Sequence, residues 1–88
     1  MYIIVYHKIT QPAEFWKIAQ EALPKLPKSI RIHAIYPSDD MTVTTCLWES
    51  DSVEVIKDYL QSIVGHVSYN EFQIVNPTFA MGLPKSKF

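Results

Sequence analysis

The sequence predicts an α+β fold in which four strands and two helices alternate in the order β-α-β-β-α-β. Two kinds of local pattern support this prediction. Runs of β-branched and aromatic residues, typical of strands, cover residues 2–9, 30–36, 42–49 and 67–75. Stretches with apolar residues at helical spacing cover residues 10–24 and 50–65. The chain has 88 residues, which suits one domain.

The first strand and first helix have clear boundaries. Residues 2–9, "YIIVYHKI", form β1. Pro12 suits the first position of helix α1, with Thr10 or Gln11 before it as the cap. Pro24 disfavours helical geometry at the residue before it and so ends α1. The apolar stripe of α1 consists of Phe15, Ile18, Ala19, Ala22 and Leu23.

The middle of the chain predicts an antiparallel hairpin. Residues 30–36 form β2 and residues 42–49 form β3, and the intervening "PSDD" is typical of a turn. Neither strand shows the strict alternation of apolar and polar residues expected when one face of a strand is wet. Both faces of the hairpin are therefore predicted to meet other protein or ligand.

The second half of the chain repeats the helix–strand pattern and ends in a tail. Asp51 is the predicted N-cap of helix α2, with Glu54 three residues on, and Gly65 ends the helix. The stripe of α2 consists of Val53, Ile56, Leu60, Ile63 and Val64. Residues 67–75 form β4, so residues 1–76 make the domain. Residues 77–88 lack periodicity and are predicted to be a tail that packs on the domain or on a partner.

This element order is that of ferredoxin-like βαββαβ sandwiches, with a four-stranded antiparallel sheet of order 4-1-3-2. Right-handed crossovers put both helices on one face of the sheet. The predicted core comprises Phe15, Ile18, Leu23, Ile56, Leu60 and Ile63 from the helices, with Val43, Leu47, Phe72 and Ile74 from the strands. The other face is left open, and the side chains expected there are Ile35, Cys46 and Trp48, with Tyr2, Ile4 and Tyr6 of β1. The pattern of β1 leaves open which of its faces meets the helices.

The composition predicts a homodimer. Hydrophobic residues make up 48% of the chain and aromatic residues 12%, which is generous for a small domain. Surplus apolar surface on a small domain indicates a partner or a ligand. A second copy packing sheet to sheet through the open face would cover this surface and leave a pocket between the two sheets.

Charge and hydropathy argue against several classes of partner. The net charge is −1 and there is no basic cluster, so nucleic acid is not an expected partner. No apolar run is long enough to span a bilayer, and the N-terminus has no charged leader, so we expect a cytoplasmic protein with no membrane partner. The single cysteine excludes a disulfide within the chain.

Two sets of residues could carry chemistry. The first is an aromatic pocket on the open face with a polar end, formed by Tyr6, Tyr36, Trp48, Tyr69, His33, Arg31 and Glu71. The second is a transition-metal site formed by His7, His33 and Cys46, because imidazole and thiolate are good ligands for nickel, zinc or copper. The alternatives are that the aromatic residues only pack at an interface, that Cys46 is a buried hydrophobe, and that His33 is a hydrogen-bonded polar group at the dimer seam.

The pattern resembles the dimeric α/β-barrel superfamily, in which two ferredoxin-like subunits face their sheets together. Residues 32–60 more closely resemble those of small one-domain proteins that include a nickel-binding member. The matching positions are His33, Asp39, Asp40, Cys46, Trp48 and Glu49. The resemblance implies the fold and the dimer, and it leaves the chemistry open because many functions share this fold.

The sequence therefore predicts a homodimeric small-ligand-binding protein with no expected cofactor. One alternative is a transition-metal protein, nickel being the metal that the resemblance suggests. Another is a cofactor-independent enzyme of the monooxygenase or cyclase type, acting on an aromatic or polyketide-like substrate with His33 as acid or base. A third is a protein-interaction module that uses the open face for a different partner.

Overall fold

A computed structural model describes all 88 residues and has the predicted ferredoxin-like α+β architecture. The elements are β1 (Tyr2–Ile9), α1 (Pro12–Ala22), β2 (Ile30–Pro37), β3 (Val43–Ser50), α2 (Val53–Val64) and β4 (Ser68–Ile74). The strands form one antiparallel sheet of order β2-β3-β1-β4, which confirms the predicted order. No helix has the length and apolar character needed to cross a membrane.

The helix ends follow the predicted signals, with one correction. Helix α1 begins at Pro12, and a short 3₁₀ turn over Leu23–Lys25 follows it. The N-cap of α2 is Ser52 and not Asp51. Ser52 has extended backbone geometry, and its hydroxyl accepts a 3.1 Å hydrogen bond from the Glu54 amide, as an N-cap side chain does.

Both helices pack on one face of the sheet, and the core lies between them and the strands. The predicted Phe15, Ile56 and Leu60 are buried there, and Ile18 and Ile63 pack against them. From β1, the core receives Ile3, Val5, His7 and Ile9, so the alternate residues Tyr2, Ile4 and Tyr6 lie on the open face as expected.

The predicted faces of β3 were wrong. Trp48 and Cys46 lie in the core, only 4% and 5% exposed, whereas Val43 and Leu47 lie on the open face. The cause is the pairing with β1, in which Trp48 lies opposite Ile3 and Cys46 opposite Val5. Residues directly opposite one another in an antiparallel pair share a face of the sheet, so the buried residues of β1 determine the buried residues of β3.

In β4 the prediction was correct for Phe72, which packs against the core. Ile74 lies on the same side of the sheet but is 53% exposed. It follows Phe72 toward the end of an edge strand, where the core no longer covers it.

A β-bulge in β2 explains why this strand shows no alternation in the sequence. The register with β3 shifts between Ile32 and Ala34, leaving His33 as the extra residue. Because of this insertion Ile32 and Ile35 both face the core, opposite Trp48 and Cys46. The prediction that Ile35 lies on the open face was therefore wrong.

Candidate functional site

The tail, residues 77–88, crosses the open face of the sheet from the β4 edge to the β2 edge. The tail begins with a turn in which the Ala80 amide donates to the carbonyl oxygen of Asn76. The tail then meets the other strands in their spatial order. The Tyr2 hydroxyl of β1 donates to the carbonyl of Pro84 at 2.6 Å, and Lys87 Nζ donates to the carbonyl of Ile32 in β2 at 2.7 Å.

The carboxylate of Glu49, on β3, holds the end of the tail. Its oxygens accept hydrogen bonds from the Ser86 hydroxyl and from the Lys87 backbone amide, the latter at 2.9 Å. His33 Nε2 lies 2.8 Å from Glu49 Oε1 and completes the set. Both side chains of this pair are almost entirely buried, with 2% of His33 and 6% of Glu49 exposed. The tail thus supplies two of the three groups that satisfy a buried charge.

These contacts and burial shift the pKa values of Glu49 and Tyr2. Burial alone would raise the pKa of Glu49, but hydrogen bonds from Ser86, Lys87 and His33, together with the charge of His33, lower it to about 2. Burial and the nearby Glu49 carboxylate raise the pKa of the Tyr2 phenol. Glu49 is therefore a carboxylate at neutral pH.

The Arg31 guanidinium is engaged by backbone carbonyls and by the end of the tail. Its Nη1 donates to the carbonyl oxygens of Lys28 and Ile30, and its guanidinium lies 4.5 Å from the centre of the Phe88 ring. This cation–π contact adds a further attachment for the tail.

A cavity of about 640 Å³, open to solvent, lies between the sheet and the first half of the tail. The sheet contributes its floor, and residues 79–84 form the wall opposite. The lining comprises Ile4, His33, Ala34, Tyr36, Thr45, Cys46, Leu47, Gln73, Val75 and Asn76 from the domain, with Phe79, Ala80, Met81, Gly82, Leu83 and Pro84 from the tail. Gly82 has a φ of 81°, a conformation that favours glycine and lets the tail bend there.

The structure brings only part of the predicted aromatic pocket together. His33 and Tyr36 line the cavity. Tyr6, Tyr69 and Glu71 lie on the same face, where Glu71 pairs with Tyr6 in register, but they are outside the cavity. Trp48 lies in the core on the opposite side of the sheet, so it cannot belong to this pocket.

The structure separates the three predicted metal ligands. His7 and Cys46 face the core, whereas His33 is on the other side of the sheet. Burial raises the pKa of the Cys46 thiol to about 11, as expected for a cysteine among apolar side chains. His7 Nδ1 is hydrogen-bonded to Asn70 Oδ1 at 2.5 Å. No group of three or more His, Cys, Asp or Glu side chains is arranged to hold a metal ion. The structure therefore does not bring His7, His33 and Cys46 together in one place.

Sequence reasoning missed the residues that hold the tail. The sequence singles out Glu49 only within a resemblance, and the carboxylate that it places in the predicted pocket with His33 is Glu71. The signal for Glu49 was its position between Trp48 and Ser50 in a strand that is otherwise poor in charge. Its partners Ser86 and Lys87 follow it by 37 and 38 residues, a separation at which no local pattern operates.

Comparisons with known proteins found no matching protein-family model, no matching curated protein and no matching solved structure.

Proposed function

We propose that this protein binds a small organic molecule in the cavity between the sheet and the tail, and that it does so as a homodimer. The cavity carries the proposal. Its volume of about 640 Å³ falls within the range typical of small-molecule sites, roughly 300–1,000 Å³. Ten of its sixteen lining residues are hydrophobic, with a few polar side chains among them, which is also typical of such sites.

Exposed aromatic and apolar side chains on the same side of the molecule support the dimer. Tyr36 and Tyr69 are each 71% exposed, and Phe79 and Met81 of the tail are 83% and 95% exposed. Large aromatic residues and methionine are enriched at protein interfaces. A second copy facing this side would cover them and narrow the open mouth of the cavity. The tails would then lie between the two sheets, which face each other in the dimeric α/β-barrels that the sequence resembles.

Filling the cavity is expected to abolish ligand binding without unfolding the protein. Ala34 lies on the floor, so Ala34→Trp places an uncharged ring in the space that a ligand needs. A library of small aromatic fragments, screened by ligand-observed NMR, should give hits with the wild type that disappear in this variant. Val55→Trp, on the exposed side of α2, is the matched control and should retain them. Hits that persist unchanged in folded Ala34→Trp would contradict the cavity as the site.

Sedimentation analysis is expected to give a mass twice the 10.2 kDa of the chain. A standard interface of about 800 Å² per partner should hold the dimer together at ~10 µM chain. Tyr6→Lys puts a charge in the middle of the open face, where the side chain is 40% exposed, and should yield a folded monomer. Val55→Lys, on α2, should remain dimeric. A monomeric wild type at this concentration would refute the dimer.

A second candidate is a cofactor-independent enzyme, and the His33–Glu49 pair favours it. A histidine oriented by a buried carboxylate can act as a general acid or base, and His33 belongs to the cavity lining. Only Nε2 of the ring is engaged by Glu49. The test is whether the wild type chemically converts any fragment that it binds. If His33→Gln still binds that fragment but no longer converts it, the result supports this function. Equal conversion by the two proteins would exclude His33 as the catalytic group.

A further inference from the structure

We infer that the cavity selects an uncharged, mostly apolar molecule that carries one or two neutral hydrogen-bonding groups such as a hydroxyl or a carbonyl. This inference rests on the proposed function, because it concerns the ligand of the same cavity. A weakly acidic ligand would be favoured instead if Arg31 lay at the polar end of the cavity, as the sequence suggests.

The first support is the absence of unpaired charged residues from the lining. None of the eight Lys and Arg and nine Asp and Glu residues lines the cavity, and the one histidine that does, His33, is paired with Glu49. An ionic ligand would therefore lose part of its hydration without gaining a partner of opposite charge. Burying an unpaired charge costs far more free energy than burying a neutral polar group.

The second support is that the charged side chains around the attached end of the tail, Glu49, Arg31 and Lys87, are already occupied. The Glu49 carboxylate accepts hydrogen bonds from three donors. Arg31 is held by two backbone carbonyls and by the ring of Phe88, and Lys87 Nζ is held by the carbonyl of Ile32. Recruiting any of them to an ionic ligand would break contacts that attach the tail.

The third support is the kind of polar group that the lining does offer. Its side chains include the hydroxyl of Thr45 and the amides of Gln73 and Asn76, which are neutral and can both donate and accept. In the tail wall, the backbone N–H groups of Met81, Gly82 and Leu83 make no hydrogen bond within the chain. Such groups suit a hydroxyl or carbonyl oxygen on an otherwise apolar molecule.

Three probes that share a naphthyl ring and differ in one small substituent, which is neutral, anionic or cationic, test the inference. They carry a hydroxymethyl, a carboxylate or an aminomethyl group, and their affinities are measured by calorimetry at neutral pH. The hydroxymethyl probe is expected to bind the wild type at least about tenfold more tightly than either ion. Thr45→Lys introduces a cation into the lining and is expected to raise the affinity of the carboxylate probe selectively.

The cavity-filling variant separates failure of this inference from failure of the proposed function. If an ionic probe binds the wild type as tightly as the neutral one, and Ala34→Trp abolishes that binding, the charge selectivity is refuted while the cavity remains a ligand site. If no probe binds, or if folded Ala34→Trp binds all three as the wild type does, both proposals fail.

Discussion

Trp48→Glu is expected to leave the chain unfolded. The indole is 4% exposed and lies in the core beneath the helices. Removing a buried aromatic side chain costs roughly 3–5 kcal/mol, and the new carboxylate would be buried without a partner. A domain of this kind has a total stability of about 5–15 kcal/mol, so little would remain. Far-ultraviolet circular dichroism and thermal denaturation measure the outcome.

Trp48→Phe is the matched control for this prediction. Trp48 Nε1 has no hydrogen-bond partner in the chain, so phenylalanine keeps an aromatic ring while removing a buried, unsatisfied donor. We expect Trp48→Phe to fold. A folded, monomeric Trp48→Glu would contradict the structure, because it would place Trp48 at the dimer interface.

Glu49→Ala is expected to release the tail from the sheet while the domain stays folded. The substitution removes the acceptor for Ser86 and Lys87 and leaves the buried His33 ring without its carboxylate. Leaving a buried polar group without its hydrogen-bond partner typically costs about 1–3 kcal/mol. Trypsin should then cleave the tail after Lys85 and Lys87 faster than in the wild type, and the fragments that bind the cavity should lose affinity.

The pH dependence of stability in acid provides an independent test of the contact between Glu49 and the tail. The pKa of Glu49 is lowered to about 2 from an ordinary value of 4.5, so the carboxylate stabilises the folded state fully above pH 4.5. That contribution is lost as the pH falls from 4.5 toward 2. The difference in unfolding free energy between wild type and Glu49→Ala should shrink over this interval. The charged or titratable groups around the carboxylate are His33, Tyr2, Arg31 and Lys87. A difference that stays constant with pH, together with an unchanged rate of trypsin cleavage, would show that Glu49 does not hold the tail.

The fold could be predicted from the sequence because its signals are local. Pro12, Pro24 and Gly65 mark helix ends, the stripes of α1 and α2 mark buried faces, and the handedness of crossovers limits the sheet order. Which side chains of β3 face the core could not be predicted in the same way. Its two alternating sets of side chains are about equally apolar, and only the pairing with β1 decides between them. The bulge at His33 leaves only a break in the alternation of β2, which a strand with two apolar faces also shows.

The candidate site was less accessible to prediction because the tail builds much of it. The sequence identified His33 and Tyr36, which lie on the correct face. The tail was expected to pack on the domain or on a partner, but nothing in its composition specified a path across the sheet or the attachment at Glu49. A cavity whose two walls come from distant segments is a product of tertiary structure alone.

The path of the tail across the sheet has a consequence for the order of folding. The contact between Tyr2 and Pro84 spans 82 residues, and the attachment at Glu49 requires β1, β3 and β2 to be in place first. We therefore expect the tail to dock late, because contacts of such long range form slowly. In the folded protein the tail is a tethered segment at high effective concentration, so any partner that docks on the part of the sheet beneath it must displace it.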